Sequence, residues 1–369
     1  MASTPFQGLL RHPKVLSGLV KSELKQNGFS ILDNAFGKNI ASKAKAEIAA
    51  LQTASRLHLN VTQHVLPDNS VEVLPKHGIW ELSSEVLLSD QKSNLRWGIS
   101  PNSDSVVETP TLDKFVSDSR AFYPGLNGTE PKQGDATSLI DCLPMSRTTV
   151  KVQFNAGEGG CFPLHFDTAP GVDTRFLTAI YYMNDSWCPS HGGELKLHPF
   201  PFESPPPIEP IADRLVLFSS ANMLHRVLPS TKERYCATFW LYTSEDATKS
   251  KNNQTSQKPL MTSPSNFQNI DKAEAVALNL LLAPKLRRHF ARIALGDEWY
   301  SSLKSSHPPT PESTKALSRH ENESKSIEVA LQDYLARIGF KGRAKDPMQL
   351  SNAHLPLRCE EHPDLLNWF

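Results

Sequence analysis

The chain has 369 residues, with 39 basic and 39 acidic side chains and a formal net charge of zero. That length can bury a full core as one large domain or two smaller ones. The charge balance argues against nucleic acid or an anionic membrane as partner, since both call for a basic excess. Five widely spaced cysteines without a CxxC pair argue against a disulfide scaffold or a thiolate zinc site. No apolar run approaches the roughly eighteen residues of a membrane span, and the first residues lack a secretory apolar stretch. The expectation is a soluble cytoplasmic or nuclear chain, with oligomeric state left open.

In chain order, residues 15–26 read as a helix stopped by Asn27-Gly28, FSILDNAF as a short strand, and 39–55 as a second helix. The stretch from about 58 to 135 is polar and turn-rich, which suggests long loops with short strands. From 147 the character changes. RTTVKVQF, RFLTAIYYM, GELKLHPF, RLVLFSS and RYCATFWLY are short β-branched and aromatic runs separated by Gly, Pro, Asn and Asp. Their even spacing, without helix-length segments between them, favours an all-β sandwich or jelly roll over a parallel α/β fold. Beyond 245 a polar linker leads to residues 271–295, helical with Pro284 as a kink or break, and to another helix over 325–338. The organisation expected is a domain over 1–245, with its β core at about 147–245, and a helical extension over 246–369.

His165 and Asp167 stand two apart in LHFDT, a spacing that points both side chains to one face of an extended segment. Two imidazoles and one carboxylate leave open positions on an octahedral ferrous ion. The third ligand has to come from a distant strand, and His225 in SSANMLHRVLP is suitably placed. Arg234, nine residues further, opens the last β run and offers a bidentate fork for a carboxylate. Thr238 shares its strand face, and Tyr182 can supply another hydroxyl donor.

The pieces LHFDT, TAIYYMND, HGGELKLHPF and HRVLPSTKERYCATFWLY resemble the prolyl 4-hydroxylase branch of the 2-oxoglutarate- and Fe(II)-dependent dioxygenases. The likeness is greatest to the oxygen-sensing prolyl hydroxylases. It covers most of residues 15–245 and leaves the tail unplaced. It implies a double-stranded β-helix (jelly roll) with N-terminal supporting helices and a C-terminal helical extension. It also implies iron on His165, Asp167 and His225, and 2-oxoglutarate on Arg234 with help from Tyr182 and Thr238. Dioxygen would be the other co-substrate, with ascorbate as an auxiliary reductant. The product expected is a hydroxylated C–H bond with release of succinate and CO₂. Because Asp167 is present, no ligand position is vacated for halide. The sensor enzymes carry a tyrosine-proline-glycine segment where QFNAG stands here, so either Gln153 or Asn155 takes the tyrosine's place.

The substrate expected from the resemblance is a protein or peptide proline. Another protein side chain or a small molecule is the alternative, and a non-catalytic jelly-roll binding module is the non-enzymatic one. His191 and His198 flank Gly192-Gly193, where a tight turn or close backbone approach is the stronger reading than metal ligation. Arg287, Arg288 and His289 read as a basic patch facing solvent, and Cys161 and Cys188 as packing residues.

Overall fold

The computed structural model describes residues 18–65, 71–87, 107–120, 145–169, 172–243, 272–346 and 368–369. Ten strands are present in these segments, all paired antiparallel within two sheets. The strands are β1 (Phe29–Leu32), β2 (His58–Val65), β3 (Val71–Leu87), β4 (Met145–Asn155), β5 (Phe162–His165), β6 (Arg175–Tyr182), β7 (Leu195–His198), β8 (Leu215–Ser219), β9 (Leu224–Val227) and β10 (Arg234–Thr243). The large sheet has seven strands in the order β1-β8-β6-β10-β4-β3-β2, and the small one has three in the order β5-β9-β7.

Strict alternation along β10 explains why the large sheet separates two environments. Tyr235, Ala237, Phe239 and Leu241 point into one apolar cluster, together with Val150 and Val152 of β4. Helices α1 (Gly18–Asn27), α2 (Lys38–Thr53) and α3 (Pro110–Arg120) cover that face. Their apolar residues, among them Leu24, Ala44, Ile48 and Phe115, complete the cluster. The intervening residues Arg234, Cys236, Thr238 and Trp240 project from the opposite face into a cavity. One strand thus supplies core with one set of side chains and chemistry with the other.

The stretch expected to be loops over 58–135 holds more order than its composition suggests. β2 and β3 form a long hairpin, and α3 follows. The rest of that stretch lies outside the described residues. In the C-terminal part, Pro284 opens a new helix instead of kinking an old one, since a proline at the first helical position loses no hydrogen bond. The helices are α4 (Lys272–Leu282), α5 (Pro284–Ala294), α6 (Gly296–Ser306) and α7 (Pro311–Arg337).

These helices pack against the small sheet. α6 lies along the outer edge of β5, where Ser302 Oγ accepts a hydrogen bond from the Leu164 N–H at 2.9 Å. Glu298 is held by Lys196 of β7 at 2.9 Å, and Arg226 of β9 stands 3.6 Å away. The ring of Trp368 is buried among Phe202, Met223 and Leu278. Its indole N–H donates to the Gln26 carbonyl at 3.1 Å.

Candidate active site

The two histidines owe their meeting to strand register. β5 and β9 are antiparallel neighbours in which His165 faces His225 directly, with ring centroids 4.3 Å apart. Each imidazole is oriented through Nδ1 by a carbonyl two residues earlier. His165 Nδ1 is 2.7 Å from the Pro163 oxygen, and His225 Nδ1 is 3.1 Å from the Met223 oxygen. An Nδ1–H donated in this way leaves the Nε2 lone pair as the free ligand atom. Burial, helped by the neighbouring His165, lowers the His225 pKa to about 4, so its ring is neutral at pH 7.

Asp167 lies past the end of β5, and its Oδ1 stands 3.6 Å from His165 Nε2 and 3.8 Å from His225 Nε2. Those separations are too long for hydrogen bonds. The other carboxylate oxygen is already occupied. Oδ2 accepts from the Thr178 hydroxyl and from the Trp240 indole N–H, the latter at 3.2 Å. Burial alone would raise the Asp167 pKa, but His225 and His165 hold it well below the ordinary carboxylate range. Among the described residues, His165, Asp167 and His225 form a set whose ligand atoms all lie within 4.8 Å of one another. Two imidazoles and one carboxylate, each fixed through its far atom, fit an open ferrous site.

A cavity opens beside this cluster, with Phe162, Ile180, Leu195 and Val227 among its apolar walls. Arg234, 4% exposed, lies along its lining. Its Nε–H donates to the Gly193 carbonyl at 2.9 Å, and Nη1 donates to the Cys236 sulfur at 3.5 Å. Nη2 is buried with no hydrogen-bond partner. A buried guanidinium with one N–H group uncommitted is costly unless an anion meets it, so the pocket suits a carboxylate ligand. Thr238 lines the same cavity. Tyr182 does not; its ring packs 5.0 Å from the Arg234 guanidinium, and its buried hydroxyl makes no hydrogen bond. Burial pushes the Tyr182 pKa up to about 12, so it stays a neutral donor.

The close approach of Gly193 to Arg234 explains the paired glycines. A Cβ at Gly193 would come 2.9 Å from Arg234 Cδ, and one at Gly192 would come 2.2 Å from the Pro229 oxygen. Both glycines also have positive φ, at 78° and 66° respectively. His191 closes the short turn before them, and His198 lies 3.5 Å from Glu298, so neither joins the ligand set.

Of the two residues left open for the tyrosine's place, Gln153 lines the cavity. Asn155 instead braces a turn, donating to the Gly160 carbonyl at 2.8 Å and accepting from the Gly157 N–H at 3.0 Å. Gln153 belongs to a polar chain missing from the sequence reading. The Cys236 thiol donates to Gln153 Oε1 at 3.4 Å, and Gln153 Nε2 donates to Glu81, 3.4 Å away. Lys151 pairs with Glu81 at 3.0 Å, and buried Lys76 donates to Asn60 at 2.5 Å, which in turn donates to Glu81. The signal was the alternation in TVKVQFN, where Lys151, Gln153 and Asn155 share the face opposite Val150, Val152 and Phe154.

The expected solvent-facing basic patch is corrected by the structure. Arg287 is 4% exposed, and Arg288 reaches inward to main-chain carbonyls. Only His289 of the three is exposed.

Residues 150–242 match the model of the 2OG-Fe(II) oxygenase superfamily. Mouse (Mus musculus) prolyl hydroxylase EGLN3 is 36% identical over 231 residues, which span 62% of this chain and 84% of that protein. The Caenorhabditis elegans hypoxia-inducible factor prolyl hydroxylase is 36% identical over 96 residues, 26% of this chain and 13% of that protein. Among solved structures, a prolyl 4-hydroxylase from Phytophthora capsici has the same fold, with a TM-score of 0.57 at 23% identity over 92% of this chain and 93% of that one. Shared sequence across most of a relative's length, together with a family match over 150–242, settles the family. The chain belongs to the Fe(II)- and 2-oxoglutarate-dependent dioxygenases, in the prolyl 4-hydroxylase branch near the oxygen-sensing prolyl hydroxylases.

Proposed function

We propose that this dioxygenase is a protein prolyl 4-hydroxylase, with His165, Asp167 and His225 as its iron ligands and Arg234 as the anchor for the distal carboxylate of 2-oxoglutarate. The observation that carries the co-substrate assignment is the uncommitted, buried Nη2 of Arg234 at the cavity lining. The prolyl substrate is supported by the name and extent of the EGLN3 relative. The same proposal takes the two facing antiparallel sheets as a double-stranded β-helix, with a dioxygenase unit over 1–245 and a C-terminal extension over 246–369.

When bound, iron supplies oxidative decarboxylation of 2-oxoglutarate to succinate and CO₂, coupled to hydroxylation of an unactivated C–H bond. The protein's work is placement. Arg234 holds the far end of the co-substrate through its free N–H group, and Thr238 donates its hydroxyl to the same carboxylate. Tyr182 packs beneath the guanidinium and keeps it from swinging into the wall. Thr178 and Trp240 fix one oxygen of Asp167, so that only the other faces the ion. Ile180, Leu195 and Val227 keep bulk water from the reacting end.

The test is succinate formation from 2-oxoglutarate and Fe(II) against a panel of proline-containing peptides, with hydroxylation located by mass spectrometry. Turnover with oxygen added to proline supports the assignment. Oxygen added only to other side chains or to small molecules replaces the substrate class, and no turnover with any substrate defeats the proposal.

A further inference from the structure

The β5–β9 register places two ligands but leaves the third to other forces. Asp167 lies beyond the ladder, and its side chain is held by Thr178 and Trp240. Its main chain is held separately, by Arg175 Nη1 donating to the Asp167 carbonyl at 3.0 Å. A second arginine acts one residue further, and it comes from the C-terminal helices.

Arg288 of α5 turns its Nη2 between two loops. It donates to the carbonyl of Thr168, the residue after Asp167, and to that of Ala221 at 2.5 Å. Ala221 lies in the turn that leads into β9 and His225. The guanidinium also stacks 4.1 Å from the ring centroid of Phe166, which sits between His165 and Asp167. Among the described residues no acidic side chain pairs with Arg288. Its charge is therefore committed to two carbonyl oxygens and an aromatic face. Arg287, next to it, donates to Asn222 Oδ1 at 2.5 Å and ties the same turn to the helix.

We propose that Arg288 is a positioning residue of the metal centre, clamping the Asp167 loop to the turn before His225. The inference rests on the iron reading of His165, Asp167 and His225. Two carbonyl oxygens aimed at one point repel each other, and a cationic N–H group turns that repulsion into a pair of charge-assisted bonds. Removing the group leaves both carbonyls without that donor, and the two loops relax apart. The two histidines stay in register, because the ladder holds them, while Asp167 loses its set distance from them. On this view the C-terminal extension is part of the catalytic unit.

The test uses the full chain, with Co(II) as the probe in isothermal titration and thermal unfolding of the metal-free protein measured alongside. Arg288→Ala is expected to weaken Co(II) binding by about 10-fold or more, the range found for groups that orient metal ligands. Guanidinium added to that variant is expected to restore much of the affinity, which a general loss of packing would not allow. Arg288→Lys keeps the charge but loses the planar fork, and an intermediate loss of about threefold is expected. Affinity of Arg288→Ala within twofold of the parent would overturn the clamp. If that variant does not fold, Arg288→Lys decides, and unchanged affinity there overturns it. Failure of the parent chain itself to bind Co(II) would instead defeat the iron reading, and the clamp with it.

Discussion

The two sheets are built from the same alternating strands, yet they depend on different parts of the chain. The large sheet closes its core with α1, α2 and α3, all N-terminal to most of its strands, and β4 and β10 run for ten residues or more. The small sheet has three strands of four residues each. Too short to bury much on its own, it borrows α5 and α6 from the C-terminal part for its edge and its loops. Two of the three proposed ligands thus sit on the sheet that is held by segments far away in sequence.

Substitutions on the two sheets should separate these contributions. The largest effect expected is from His225→Ala on the small sheet, which should abolish both Co(II) binding and succinate formation while leaving cooperative unfolding intact. A variant that kept tight metal binding would remove His225 from the ligand set. Phe239→Ala on the core face of β10 should do the reverse. Loss of this buried ring is expected to cost about 3–5 kcal/mol in urea unfolding, with Co(II) affinity of the folded fraction unchanged. Concurrent loss of metal affinity would show that the sheets are not separable.

Arg234→Ala lies on the cavity face of the same strand, one residue from the core alternation. It should raise the KM for 2-oxoglutarate by roughly 10- to 150-fold, the equivalent of about 1.5–3 kcal/mol for a hydrogen bond to a charged group. Metal binding should persist, and an unchanged KM would remove the anchor role. The smallest effect concerns Lys76, on β3 beside the cavity's polar chain. Burial lowers its pKa from 10.5 to about 8, only partly offset by Glu81. Between about pH 8 and 10.5 the unfolded chain therefore binds more protons at this site than the folded one, so stability contributed here rises with pH. The slope is at most about 1.4 kcal/mol per pH unit. Below about pH 8 both states are protonated, the penalty is complete and the slope vanishes. Lys76→Met should flatten that rise in a pH series of denaturation curves; an identical series would show that Lys76 does not titrate in this window.

The parts of the fold legible in sequence are those whose burial is written in alternation. RTTVKVQF, RFLTAIYYM and RYCATFWLY became β4, β6 and β10 because every second side chain meets the helices. The β2–β3 hairpin was hidden because Lys76 and Asn60 are polar yet buried and Glu81 is half-buried, all satisfied by one another across strands. The start of α7 was hidden for a similar reason. Its first turns are rich in Ser, Thr and His, and only the Thr310-Pro311 entry marks it, with Thr310 Oγ1 accepting from the Ser313 N–H at 3.2 Å. The meeting of His165, Asp167 and His225 and the place of Arg234 on the cavity were legible because their chemistry is carried by side-chain type. Arg288 was not, because its partners are main-chain carbonyls, which every residue possesses and no composition reveals.

Trp240 joins the proposed metal centre to an observable of another kind. Its indole N–H bonds to Asp167, while Lys151 Nζ lies 4.8 Å and the Arg175 guanidinium 4.3 Å from its ring centroid. Indole emission responds to charge close to the ring, and an ion arriving on the far oxygen of Asp167 changes the charge at the end of that hydrogen bond. The chain has six tryptophans, and Trp240→Phe would isolate the contribution of this one. On the proposed ligand set, the protein therefore carries its own optical gauge of metal occupancy, readable without substrate, co-substrate or added dye.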